Sequence, residues 1–371
     1  MQNIPRWIQL YEDEALPSKS GTKLYPIDQS NQILELQLVM RGTNGATRNF
    51  ADNATFQDIW ESLTLVEVSE GSNIYKSFTS EIAAYIAAYN SGKHPAEIAT
   101  MVGGAEQEAT IPLTFNCFPG DREVLLPAPV LSGSLNLNLK WDFTESATAG
   151  FASTGFEFDL HALIIPPESE EAMKNKRVLV TRKKHDHTTT ASGDHPFSMS
   201  KISNAELRRI YVHCFETLIA EGVDITKLKL EANTLPVFDA IWKNLQYKNA
   251  RDCSLNFARK VLVAGAASDV WLTRIPKVAP QYSSDVAAGA DYIASITADA
   301  ITFPAQAPTG WMELNSEVIP AMAIIDFDLA NDQRNLLNID PNVTKELTLL
   351  ATQGAAGGTV KVIEEYLQKL W

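Results

Sequence analysis

Hydrophobic and polar positions along this chain follow one programme twice. Leu63, Leu65, Val66 and Val68 form a strand-like run that leads into the turn Ser69-Glu70-Gly71-Ser72-Asn73. A helical stripe follows at Ile74, Phe78, Ile82, Tyr85, Ile86 and Tyr89. Later, Leu228 and Leu230 alternate with Lys227 and Lys229, and the turn Glu231-Ala232-Asn233-Thr234 comes next. A second stripe is then set by Val237, Phe238, Ile241, Trp242 and Leu245. Each copy switches at the same point from a period of two to a period of three to four, the change that separates a pleated strand from a helix. A repeat of this length fixes the architecture before any chemistry is considered.

The repetition extends in both directions. Upstream of the first copy lies the apolar run Ile33 to Met40, and upstream of the second lies Leu207 to Phe215. Downstream, Glu123 to Pro129 introduces a long alternating strand at Leu135, Leu137, Leu139, Trp141 and Phe143. Glu317 to Met322 introduces Ala323 to Asp328 in the matching place. Each half closes on a last strand, Phe156 to Leu160 and Val360 to Glu364. The offset between copies grows along the chain, so the second copy carries the longer loops.

Short alternating strands separated by Gly, Pro, Asn and Asp are the pattern of antiparallel sandwiches. A helix inserted between two strands of such a large unit suits a jelly roll better than an immunoglobulin domain. The expected fold is therefore all-β, two tandem eight-stranded jelly rolls, each with a short inserted helix that caps an open end. Residues 1–17, with Ile4, Trp7, Ile8, Leu10 and Tyr11, read as an N-terminal arm that docks on a neighbour or tucks against its own domain. Residues 18–167 form the first jelly roll, ended by Pro166-Pro167, which cannot continue a ladder. Residues 168–200 are a linker with the first strand of the next unit, and residues 201–371 are the second jelly roll.

Composition narrows the functions available. The 371 residues are 45% apolar and 20% charged, which is globular. A net charge of −14 argues against a nucleic-acid groove, which needs a basic surface. The one basic cluster, Arg177 to Lys184, encloses Val178, Leu179 and Val180 and reads as a strand with a charged exit. Cys117, Cys214 and Cys253 show neither a disulfide framework nor metal spacing, which suggests folding in a reducing compartment. No run approaches the length of a transmembrane helix, and Met1 to Trp7 has no secretory pattern.

Few motifs carry chemistry. There is no phosphate loop, nucleophile elbow or zinc-protease helix, and Val263 to Ser268 has a single glycine, too few for a dinucleotide fingerprint. His185, His187 and His195, with Asp186 and Asp194, could approach a metal, although a solvated polar loop is the simpler reading. Asp326, Asp328 and Asp332 begin like a calcium loop, but Ala330 and Asn331 break its pattern. No catalytic, cofactor-binding or metal-ligating residue is assigned. A structural calcium between acidic subunits is physically compatible with so negative a chain, without ligands that can be named.

A family resemblance rests on the run Ile111-Pro112-Leu113-Thr114-Phe115, the turn Pro119 to Arg122, and Val124 to Val130 leading into the long strand. With the strand–turn–helix element in both halves and the ending Thr359 to Leu367, it resembles the double jelly-roll major capsid proteins of membrane-containing icosahedral viruses. The likeness is greatest to corticovirus-like bacteriophage members of the tectivirus–adenovirus lineage, and covers most of the chain from about residue 20. Thr114, and the step Ser132-Gly133-Ser134, depart from the family's usual residues. The resemblance implies homotrimers whose six jelly rolls make a pseudo-hexagonal capsomer, tiling a shell over an internal membrane. It implies neighbouring capsomers, penton and minor capsid proteins as partners, contact with the internal membrane, no direct nucleic acid and no enzymatic activity. The location would be the virion, and the host cytoplasm during assembly. Trp242, Trp271 and Trp311 are candidate interface anchors, and Pro280 to Pro304 a decorating or contacting loop.

Two other classes fit an all-β chain. A glycan-processing enzyme on paired jelly rolls would need convergent carboxylates, for which Glu157, Asp159 and Glu231 are candidates. A carbohydrate- or receptor-binding module would need clustered exposed aromatics, whereas the tryptophans are scattered.

Overall fold

The computed structural model describes residues 4–46, 57–143, 150–190, 192–215, 222–263, 269–271, 281–283, 295–297, 300–302 and 310–371. The first half runs β1 (Arg6–Ala15), β2 (Ser20–Pro26), β3 (Gln32–Asn44), α1 (Ile59–Ser62), β4 (Leu63–Glu70) and β5 (Asn73–Phe78). It continues with α2 (Ser80–Ser91), β6 (Glu97–Thr100), β7 (Glu106–Thr114), β8 (Leu135–Asp142) and β9 (Phe151–Ile165). After α3 (Glu170–Lys174) come β10 (Arg177–Thr188), β11 (Gly193–Ser198), β12 (Ala205–Phe215), β13 (Ile225–Ala232), β14 (Leu235–Ile241) and α4 (Trp242–Asp252). Then follow β15 (Phe257–Val263), β16 (Asp269–Trp271), β17 (Gln281–Ser283), β18 (Ser295–Thr297), β19 (Ala300–Thr302) and β20 (Gly310–Ser316). The chain ends on β21 (Met322–Asp326), β22 (Leu337–Asn338), β23 (Leu347–Gln353) and β24 (Thr359–Lys369).

The strand order shows the repeat directly. In the first half β1-β9-β3-β7-β6 faces β2-β8-β4-β5, and in the second β10-β24-β12-β21 faces β11-β23-β13-β14. Each half is thus a jelly roll of the same wiring. In each, the inward positions of the central strands are apolar: Leu36, Leu38 and Met40 on β3, and Ile210, Val212 and Cys214 on β12, are fully buried. One hydrophobic cluster runs through both halves.

The strand equivalence revises one match expected from sequence. Leu135 to Phe143, on β8, corresponds to β23 rather than to Ala323 to Asp328. Those latter residues lie on and beyond β21, the counterpart of β7. Two apolar strands entered through a proline look alike in sequence, and only the pairing partner tells them apart. The helices also start later than the stripes suggest. Ile74 and Phe78 lie on β5, and Val237, Phe238 and Ile241 on β14. The intervening turns are tight hairpins: Gly71 has φ +57, and Asn233 and Thr234 have φ +50 and +69, so the chain doubles straight back as strand. Helix α2 begins only after Thr79, whose side chain accepts a hydrogen bond from Ile82 N.

Segment 168–200 holds α3, β10 and β11, whose strands pair with β24 and β23. The N-terminal arm forms β1, an antiparallel edge strand on β9, with Arg6 opposite Ile164. Residues 264–268, and most of 280–304, lie outside the described residues, as do the side chains of Trp271 and Trp311.

Candidate functional site

The halves are stitched by two parallel strand pairings that make their sheets continuous. Lys76 and Ser77 of β5 lie opposite Thr181 and Arg182 of β10, and Ala99 and Thr100 of β6 lie opposite Val261 and Leu262 of β15. Helix α2 is wedged into this seam. It is buried on nearly every side, including Ser80 and Glu81, as expected of a helix covered by two bodies instead of one.

A charged cluster sits at the first stitch. A bulge in β12, between Leu207 and Arg209, places two arginines in succession. Arg208 donates to Asp328 Oδ2 (2.8 Å), Glu365 Oε1 (2.9 Å) and Asn331 Oδ1 (2.6 Å). Arg209 donates to Asp326 Oδ2 (2.7 Å) and crosses to the first half at Asn90 Oδ1 (2.6 Å). Tyr89 reaches the same Asp326 oxygen at 2.9 Å, and Lys76 Nζ donates to Thr181 Oγ1 at 2.9 Å. Burial pulls Lys76 down to about 7. Burial alone would raise Glu365, but Arg208, Arg209 and Lys76 hold it below the usual carboxylate range. Buried ion pairs of this kind add little net stability over a well-packed apolar substitute, but removing one partner is costly.

The second stitch carries its own arginine. Arg259 on β15 donates to Asp58 Oδ2 (2.6 Å) and Glu97 Oε2 (2.8 Å), and Trp60 Nε1 donates to Glu97 at 2.7 Å. Beside it His94 is lowered to about 3, first by burial and then by Arg259. No local pattern signals this pairing, because Glu97 and Asp58 lie 162 and 201 residues from Arg259 along the chain.

Beside the first stitch opens a cleft of about 690 Å³, lined by Glu35, Pro112, Cys117, Phe118, Leu163 and Asn90 among others. Burial raises the Cys117 thiol to about 12, the opposite of an activated nucleophile. The carboxylates proposed for glycan chemistry do not converge here. Glu157 and Asp159 are bound by Arg41 at 3.0 and 2.7 Å, and Glu231 pairs with Lys229 in the other half at 2.6 Å.

The remaining candidates take structural places. His187 and His195 stack with ring centroids 3.7 Å apart, and His185 Nε2 meets Ser198 O at 2.7 Å. Among the described residues no group of three or more His, Cys, Asp or Glu could hold a metal ion. Asp326 and Asp328 are taken up by the two arginines, and Asp332 lies beside Arg334. Trp242 is fully buried in its own half and so cannot anchor a subunit contact. The exposed tryptophan of the arm is instead Trp7, at 50%. No helix is long and apolar enough to cross a membrane among the described residues.

No protein-family model and no curated protein sequence matches the chain. Solved structures do match over almost its whole length. The STIV MCP is 10% identical, with 98% of this chain and 96% of that chain covered and a TM-score of 0.61. The major capsid protein P2 from bacteriophage PM2 is 8% identical, covering 98% and 97% with a TM-score of 0.54. A quasi-atomic PBCV-1 virus capsid is 10% identical, covering 98% and 94% with a TM-score of 0.57. The chain is a double jelly roll, with the fold of these viral major capsid proteins along its full length.

Proposed function

We propose that this chain is the major capsid protein of an icosahedral virus, acting by self-assembly. The observation that carries the reading is the doubled unit itself. Two jelly rolls of one wiring are locked side by side by continuous sheets and buried arginine clusters, which is how a rigid block is built. Three such chains related by a threefold axis present six similar faces, a nearly sixfold perimeter made from one sequence. Side-to-side burial holds the trimer, and weaker, salt-sensitive contacts between trimers build the shell. The likeness to capsid proteins points the same way. An internal membrane, penton and minor capsid proteins, and the virion as final location belong to this proposal.

The test is absolute mass by light scattering coupled to size exclusion. A species near three times the 40.8 kDa chain is expected, stable to salt, with larger particles that salt dissolves. A monomer at every concentration overturns the reading and turns attention to glycan binding.

A further inference from the structure

The chain makes one contact between jelly rolls internally and leaves the two complementary halves of that same contact open. Strands β5 and β14 are counterparts, each paired to the preceding strand and leading into a helix. The far edge of β5 is covered by β10, whereas β14 ends its sheet with no further partner among the described residues. Strands β10 and β1 are also counterparts, each on the closing strand of its half, and β1 likewise ends its sheet. Both loose edges expose large apolar side chains: Leu235, Val237 and Ile241 on β14 are 68, 42 and 56% exposed, and Trp7, among the polar residues of β1, is 50% exposed. Unprotected apolar edges of this kind are association sites.

The helices repeat the asymmetry with matched registers. Strands β3 and β12 carry a bulge at the same place, between Ile33 and Glu35 and between Leu207 and Arg209. Glu35 is therefore the counterpart of Arg209, and Val39 of His213. Internally, the sixth residue of α2, Tyr85, stacks on His213 at 5.8 Å, and the tenth, Tyr89, lies over Arg209 at 5.0 Å. In α4 the sixth residue is Tyr247, 58% exposed, and the tenth is Arg251, whose side chain is 76% exposed. Glu35 has no hydrogen-bond or ion-pair partner among the described residues, and it lines the open cleft. The charges have changed sides: arginine on the sheet internally, arginine on the helix at the open face.

We infer that the second jelly roll of one copy docks on the first jelly roll of the next as the two halves dock within one chain. Strand β14 lies along β1 of the next copy, Tyr247 packs on its Val39, and Arg251 meets its Glu35. This rests on the assembly reading above and names its trimer interface. The contact is heterologous, so it closes a ring only when every copy uses both faces.

Charge reversal tests it, read by light scattering across a dilution series. Glu35→Arg and Arg251→Glu are each expected to raise the concentration needed for the trimer by about tenfold or more, and the double variant to restore it. Val39→Cys/Tyr247→Cys, oxidised beside the wild type, is expected to give covalent ladders ending at three chains, which holds even if a reversal disturbs folding. A wild-type trimer that neither single reversal weakens, with no ladder, overturns this interface and leaves the assembly reading intact. A wild type that is monomeric throughout overturns both.

Discussion

Arg259 is held by Asp58 and Glu97 across the seam, so removing it strands two carboxylates in a buried place. Arg259→Met is expected to cost about 3–5 kcal/mol in chemical denaturation. Adding Asp58→Asn and Glu97→Gln should recover much of that loss, since the penalty lies in the orphaned charge. His94 makes a prediction about acid. Its folded value near 3 lies below the ordinary 6.5, so between these pH values the unfolded chain binds the proton and the folded chain does not. Stability therefore falls as pH drops from 6.5 towards 3. Thermal melts of His94→Phe should show a shallower loss over that window than the wild type. A slope unchanged by the substitution would mean that His94 carries no share of it. None of these residues stands out in the sequence. An arginine in a strand looks solvated until the carboxylates that meet it, distant in the chain, are brought beside it.

At the scale of elements, α2 ends on Gly92, with φ +73 and its amide bonded to Ala88 O at 2.8 Å. A Cβ there would come within 2.8 Å of Cys253 O, in the segment that follows α4. Gly92→Ala combines a left-handed backbone with a clash against main chain, and is expected to cost about 2 kcal/mol or more. The readout is the midpoint of urea unfolding, with Gly71→Ala as comparison, because Gly71 is also left-handed but has open space around it. The strands and the presence of a helix in each half were legible because one face of each sheet is buried and period two survives. Helix starts were not. Ile74 and Phe78 sit at positions that suit either element, and only the hairpin turn before them decides in favour of strand. The equivalence of β7 with β21 was hidden for another reason: the intervening insertion, β16 to β20, displaces everything after it.

For the molecule as a whole, continuous sheets and a shared core predict one cooperative unfolding transition. Calorimetry should show a single peak whose calorimetric and van't Hoff enthalpies agree. Two resolved peaks would mean that the halves are independent bodies that merely touch. The sequence signalled two jelly rolls, correctly as wiring, but carried no hint that their sheets are continuous. A parallel pairing of two residues on each side leaves no periodic trace.

Strand β24 lies in the middle of its sheet, between β10 and β12. During synthesis, β10 and β12 emerge long before the strand that must separate them, and Glu365, the carboxylate both arginines need, arrives with it. The strands of the first half have all emerged well before this point. The second must wait for residues 359–369. A ribosome that stalls before then releases a chain whose seam is unfinished. In the assembly proposed above, translation itself would thus screen the building blocks, and truncated chains would be excluded from the shell without any separate inspection.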